Sequence, residues 1–579
     1  MTGLLFRKMR RPLMTLMLVS ALARLPAQNN QKVYPVDSGV YEAIRLLYLS
    51  RGLALPSTSG PWSGDELLLM LRRIDAARLT PGERAAFDYA EALLALRRGT
   101  LHFSGALNLE AYGHTNTAVF TRPEDYIRPL GENRPFINLD AEVWITPHAY
   151  GFFELPLANT IYNTMVTKDG KSAPGSTLFG ARPFGINAIM IPPAGGEDFS
   201  LNFPVRGFVA AGGRGFSFQI GRDRLSWGPG ESGNFMAGDH VPYHSMFRTA
   251  FYGEAVKWSF NVSSFSFPGD FYGDDGAGNA VLRGWGSQYD EVEGLNLFIA
   301  HRFEARGFNG RAGFAFTEGL MYQSAGALDP VVLLPAMFLH NLYRMQNANS
   351  MITFEADYAV FPALNVYVQL AMDEFSMGFG EAVPGRDDDA RPNGFGYMAG
   401  LRGALPLGAG MIAGSAELVF TDPYLYLRLK NSEQGSGPRL DWVVANRYHY
   451  SATEGAYYVE DFLGYRWGGD AVVLNLNVRY RTFARWNAAA NVMLLFHGAH
   501  DKWTAWTLVD NGDGQDGDHP PNSGTPSSAH PGRNFADRNA GERDAVNMIS
   551  ALTLSGEYLL LENLRAYGRV DLVRMSHPG

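Results

Sequence analysis

Several ten-residue segments of this chain alternate between an apolar and an ionisable face, and that pattern constrains the fold most. In 364–373, Leu364, Val366, Val368, Leu370 and Met372 face one way, with Asn365, Tyr367, Gln369 and Asp373 facing the other. In 474–483, Leu474, Leu476, Val478 and Tyr480 oppose Asn475, Asn477, Arg479 and Arg481. Ile137, Leu139, Ala141, Val143 and Ile145 oppose Asn138, Asp140, Glu142 and Thr146; Leu564, Ala566, Val570 and Leu572 oppose Arg565, Tyr567, Arg569 and Asp571. A period of two is the repeat of a strand. One lipid-compatible face and one wet face over such a length match a transmembrane β-strand. A soluble sandwich alternates as well, but the aromatic content of 13%, with 27 Tyr and 10 Trp, suits the girdles of an outer-membrane barrel. The expected fold is therefore an all-β transmembrane barrel. About 475 residues at ~26 per strand and connection give about 16–18 antiparallel strands, and closure leaves no exposed edge to associate.

The rest of the chain is consistent with export. Arg7, Lys8, Arg10 and Arg11 form a basic start, 13–23 a short apolar core, and Ala21, Ala23 and Ala27 offer small-residue exits. This reads as a secretory signal peptide over 1–27, and its core is too short to span a bilayer. Removing 1–27 takes five positive charges from a formal net charge of -9 and leaves -14. Such an acidic chain is poorly matched to nucleic acid or anionic surfaces. With no cysteine, the folded form relies on its core and surroundings rather than on disulfides.

Between the leader and the strands the period is helical. Val40, Ile44, Leu47 and Tyr48 precede a stop at Gly52; Ser63 and Glu66 read as a capping box ahead of Leu67, Leu68, Leu71 and Ile74; Thr80-Pro-Gly-Glu83 starts a third helix carrying Phe87, Ala90 and Leu94. The expected organisation is a periplasmic helical bundle over 28–99 and a barrel over 100–579. A bundle this small needs something to pack on. The Gly-, Pro- and Asp-rich stretches 269–291, 380–394 and 511–539 read as long external loops.

One stretch is unusually dense. GRDRLSWGPGESGNF, residues 221–235, follows the alternating run GFSFQI and holds four glycines, more than a single turn needs. With Phe216, Phe218 and Ile220 facing lipid, the stretch is expected to form a turn at the barrel rim, and Gly228-Pro229-Gly230 suits a type II turn. This stretch resembles the signature of the Wzi-like capsule-assembly family. Tyr34-Pro-Val-Asp37, Ala300-His-Arg-Phe303 with Thr317-Glu318, Asp329-Pro330, Asp373-Glu-Phe375, Thr421-Asp-Pro-Tyr-Leu-Tyr426 and Leu463-Gly464 extend the resemblance in order along the chain. The chain departs from the family pattern after Asn234, where it reads FMAGDHVPYHS. The resemblance implies an outer-membrane barrel with helices on the periplasmic side that retains exported polysaccharide without catalysis or cofactor. It also implies surface or capsular polysaccharide, outer-membrane lipid and polysaccharide export machinery as partners.

Sugars are held by flat aromatic rings and by forked or amide hydrogen bonds. Trp227 and Trp285 are therefore candidate stacking residues, and Arg222, Arg224, Glu231 and Asn234 candidate hydrogen-bonding partners. Bracing of the rim is the structural alternative for each of them. Asp140, Glu142, Arg479, Arg481, Arg569 and Asp571 lie on the wet face. They support the alternative function, a porin passing small solutes along a ladder of charges, unless they pair and plug the pore. His240 and His244 have zinc-helix spacing, but Pro242 between them disfavours the helix. Asp513, Asp516 and Asp518 are oxygen-rich, without the spacing of an EF-hand calcium loop. Ser245 beside His244 makes no triad, because neighbours on a strand point to opposite faces.

Overall fold

The computed structural model describes residues 31–95, 100–113, 134–157, 206–266, 294–333, 348–373, 394–427, 440–498 and 547–576, apart from 147, 325–326, 424 and 452–454, together with 115 and a few short strand fragments between these ranges. The leader 1–27, the three long stretches except Gly394 and fragments of 269–291, Trp285, Asp513, Asp516 and Asp518 lie outside the described residues.

Seventeen strands close into one barrel. In chain order they are β1 (Leu101–Leu107), β2 (Ile137–Thr146), β3 (Ala149–Leu157), β4 (Gly207–Gly213), β5 (Phe216–Asp223), β6 (His244–Tyr252), β7 (Val256–Phe265), β8 (Leu295–Gly307) and β9 (Ala312–Ser324). There follow β10 (Ala348–Phe361), β11 (Leu364–Met372), β12 (Phe395–Leu407), β13 (Gly410–Thr421), β14 (Ala471–Arg481), β15 (Trp486–His497), β16 (Asn547–Leu561) and β17 (Leu564–Ser576). Each pairs antiparallel with its successor, and β17 comes round beside β1. Tight turns such as Arg214–Gly215, Pro362–Ala363 and Gly408–Ala409 alternate with long connections. That inequality is typical of outer-membrane barrels.

The predicted alternation sets the two faces. Outward positions are apolar and exposed, as at Val366, Val368, Leu401, Leu418, Val478, Val570 and Leu572. Aromatic side chains gather outside near the tight turns: Tyr480 and Trp486 are 4.9 Å apart, and Phe251 and Trp258 stack at 5.5 Å. Among the described residues no helix is long and apolar enough to cross a membrane; the strands are the spanning elements.

The helices are α1 (Gly39–Ser50), α2 (Gly64–Leu71) and α3 (Pro81–Leu94). They start where the sequence places them. The Thr80 N–H donates to the Glu83 carboxylate at 2.9 Å, and the Ser63 hydroxyl accepts from Glu66 N–H at 3.2 Å. The Glu66 carboxylate leaves the expected capping box, however, and binds Lys257 of β7 at 2.6 Å. The buried stripe of α1 packs with Trp62, Leu67, Ala90 and Leu94 onto Ala404 of β12 and Met411 of β13. The bundle thus lies in the tight-turn mouth of the barrel, with Ala363 N–H bonded to Leu49 O at 2.9 Å.

The inner face is not polar throughout. Near the long connections the inward side chains enclose an apolar core. Met246, Phe298, Met321, Met351, Met398, Val419, Val473, Leu495 and Ile549, from strands around most of the wall, join one cluster with Trp227, Phe235, Met236, Tyr426, Trp442, Phe462 and Tyr465. These last residues belong to the connections after β5 and β13, which fold inward. Packed as a protein core is, this layer fills the lumen along β6–β16.

Candidate functional site

Residues 221–235 do not form a rim turn. Beyond Asp223 the chain dives into the barrel. Ser226 and Trp227 pair antiparallel with Gly60 and Ser59 of the N-terminal segment, and Gly228 N–H donates to Thr58 O at 3.0 Å. The glycines serve this close packing. Gly228 sits at φ 141°, where a Cβ would lie 2.2 Å from Asn234 Oδ1, and a Cβ on Gly230 would lie 1.8 Å from Gly233 O. Positive φ and such approaches exclude any side chain.

Trp227 is 0% exposed and belongs to the apolar layer, so its ring offers no face to a sugar. Asn234 is also buried; its side chain accepts from Gly230 N–H at 2.8 Å and donates to Ser226 Oγ at 3.2 Å, which ties the loop to itself. Glu231 anchors the plug: it binds Arg45 of α1 at 2.5 Å, Arg402 of β12 at 3.2 Å and Arg479 of β14 at 3.7 Å. Burial alone would raise the Glu231 carboxyl, but Arg45, Arg402 and Arg479 hold it well below the usual range. Glu42 is likewise lowered against burial by Arg45 and Arg479.

The two arginines part company. Arg222 shares the outward phase of Ile220, donates to Ser245 Oγ at 3.3 Å and lies over the Tyr243 ring at 4.6 Å. Arg224 turns in, reaching Asp37 at 3.1 Å and Asp239 O at 2.6 Å. The five described candidates therefore do not converge on one patch. Of the five described, Arg222 alone stands on the outer side at the long-connection end.

The charges on the wet face prove to be engaged in ion pairs or hydrogen bonds. Glu142 takes Lys32 and the Tyr150 hydroxyl; Arg479 takes Glu42 at 3.0 Å; Arg481 donates to Tyr89 OH at 3.1 Å. Arg569 and Asp571 pair at 2.9 Å, and Asp140 accepts from Asn138 Nδ2 at 3.0 Å. They do not form one continuous ladder, because Glu142, Arg479 and Arg481 are occupied by the N-terminal segment and its helices. His240 bonds Phe462 O at 2.8 Å and His244 bonds Ser263 Oγ at 3.1 Å, each in its own setting. Among the described residues no cluster of three metal-ligating side chains occurs.

Where the wall meets the plug there is an ionic layer that the sequence pattern did not single out. Arg302, wholly buried, forks onto Glu355 at 2.6 and 2.7 Å and reaches Glu304 at 3.1 Å. Glu304 in turn accepts from Ser59 Oγ at 2.5 Å, and Glu417 from the Glu231 N–H at 2.7 Å and the Tyr367 hydroxyl at 2.7 Å. A usable signal was present: Arg302, Glu304 and Arg306 recur at period two within a strand whose other face is apolar apart from His301.

These features define a closed barrel of the outer-membrane type whose interior is filled in part by its own chain. The fold is similar to that of Wzi from Escherichia coli, an outer membrane protein involved in group 1 capsule assembly and described as a carbohydrate-binding β-barrel. The similarity covers 94% of this chain and 96% of that one, with a TM-score of 0.52 and 11% identity. The chain also aligns with OccK9 (OpdG) of Pseudomonas aeruginosa, over 83% and 92% of the two chains at 9% identity and a TM-score of 0.35. An anion-selective porin from Comamonas acidovorans aligns over 64% and 80%, at 12% identity and a TM-score of 0.28. No protein-family model and no curated protein matches the chain. The likeness to Wzi meets the resemblance read from 221–235; at this identity it establishes a shared fold.

Proposed function

We propose that this chain is a non-catalytic outer-membrane protein that binds a surface or capsular polysaccharide, with its long connections outside and its helices in the periplasm. The observation that carries this reading is the apolar layer. It spans inward residues of strands from β6 to β16, and along that part of the wall such a layer obstructs the path of solutes, which favours the long-connection surface for binding. The shared fold with a carbohydrate-binding barrel supports the same reading. Arg222 is the accessible arginine on that side, and Trp285 is the aromatic candidate that the sequence contributes.

A second reading, a porin, is favoured by one observation: inward Ser104, Ala106, Thr553, Ser555, Tyr567 and Arg569 keep partial or full access to water. Two measurements separate the readings. In planar bilayers the purified protein should show no steady open conductance, and on a glycan array it should retain polysaccharide. Arg222→Ala combined with Trp285→Ala should weaken retention at least tenfold while the folded, heat-modifiable migration persists. A steady ohmic pore with no retention would favour the porin.

A further inference from the structure

Along most of the wall the outward side chains are exposed from one end to the other, as Tyr397, Leu401 and Leu405 of β12 show. Strands β8 and β9 break this rule. Near the tight turns Phe303 and Phe314 are 44% and 50% exposed. Toward the long connections the outward Leu297, Ile299, Leu320 and Tyr322 are 6%, 0%, 1% and 2% exposed. Register places all of them on the same outer face.

The segment 327–333 lies over that patch. Val332 is buried together with Leu297, Ile299, Leu320, Tyr322 and Ala348. The Tyr322 hydroxyl donates to Ala327 O at 2.9 Å and accepts from Asp329 N–H at 3.2 Å. A single 3₁₀ turn, Pro330–Leu333, follows, with Val331 N–H on Asp329 Oδ1 at 3.0 Å. Below it, still on the outer face, His301 stands opposite Glu318, both buried, with the His301 ring stacked 4.6 Å from Phe260. A polar pair of this kind is costly against hydrocarbon, and it is kept from lipid here.

We infer that 327–333 is a strap that lies in the membrane, where acyl chains meet headgroups, rather than an external loop. It replaces lipid over the upper wall of β8 and β9 and presents Leu328 and Leu333, both exposed, to the acyl chains of the outer leaflet. The occupant is lipid because the strap lies on the same outer face as the exposed apolar belt, and because its own outer side is mostly apolar. The inference rests on the reading of the barrel as membrane-spanning.

The absence of cysteine makes the test clean. Single cysteines at Leu328, Leu333, Leu418 (outward belt) and Asn563 (tight turn) are spin-labelled in liposomes, and collision with oxygen and with a water-soluble nickel chelate is measured. Labels at Leu328 and Leu333 should prefer oxygen over nickel as the Leu418 label does, with at least a fivefold difference from Asn563. Tyr322→Phe, which removes the anchoring hydroxyl, should raise nickel access at Leu333. Nickel access at the strap equal to that at Asn563 overturns the strap alone. Low access to both reagents means that a second copy covers it, and overturns it as well. Nickel access at Leu418 would instead sink the membrane reading itself.

Discussion

Two stretches of one barrel wall, built from the same alternating pattern, face different interiors. On β7–β10 the inward Ser259, Asn261, Arg302, Thr317 and Thr353 are buried against the N-terminal segment and the plug. On β15–β17 and β1 the inward Asn487, Asn491, Thr553, Ser555, Arg569 and Ser104 remain open to water, while Leu495 and Ile549 above them join the apolar layer. The difference is not in the wall residues, which are polar on both sides. It lies in what the rest of the chain places beside them: segment 53–63 and the connection after β5 hug the first wall and stand away from the second. A β-barrel's inner surface is thus undetermined until its plug is known.

The energetics of the two walls should differ accordingly. Removing one partner of a buried pair strands the other charge and costs about 3–5 kcal/mol, whereas half-exposed pairs are worth about 0–1 kcal/mol. Arg302→Met, which strands Glu355 and Glu304, is expected to lower the urea midpoint steeply. Arg569→Met, which leaves Asp571 in contact with water and with Thr553 Oγ1 at 2.6 Å, should scarcely move it. Equal effects would erase the distinction between the walls.

A smaller effect concerns the plug's attachment. Glu42 and Glu231 lie below their ordinary carboxylate value of 4.5 in the folded protein. A depressed carboxylate stabilises the folded form fully above its unfolded value, and that contribution fades as pH falls through the folded value. Protease resistance of the N-terminal segment should therefore hold at neutral pH and decline below about pH 4.5. Glu231→Gln should cost about 1–3 kcal/mol at neutral pH and flatten that acid dependence. Unchanged acid sensitivity in the variant would assign it to other carboxylates.

The barrel itself was legible because alternation is a local property: residues such as Val366 and Gln369 declare their faces within one strand. The helices were equally legible through Ser63 and Thr80, although Glu66 was claimed by Lys257, a partner 191 positions away. What could not be read was long-range. Trp227 looks like a rim aromatic because it follows three charges, and only the distant Phe462, Tyr465 and Trp442 make it core. Glu231 looks like a sugar ligand until Arg45, Arg402 and Arg479 meet around it. The run Phe235-Met236-Ala237 was the available hint, an apolar triplet where an exposed loop should be polar.

The most direct test of a barrel filled on one side and wet on the other uses the cysteine-free chain. Single cysteines are placed at inward Thr317 and Thr553, and a charged thiol reagent is added to the folded protein in detergent. The account predicts rapid modification at position 553 and at least hundredfold slower modification at 317. Comparable rates at the two positions would contradict it.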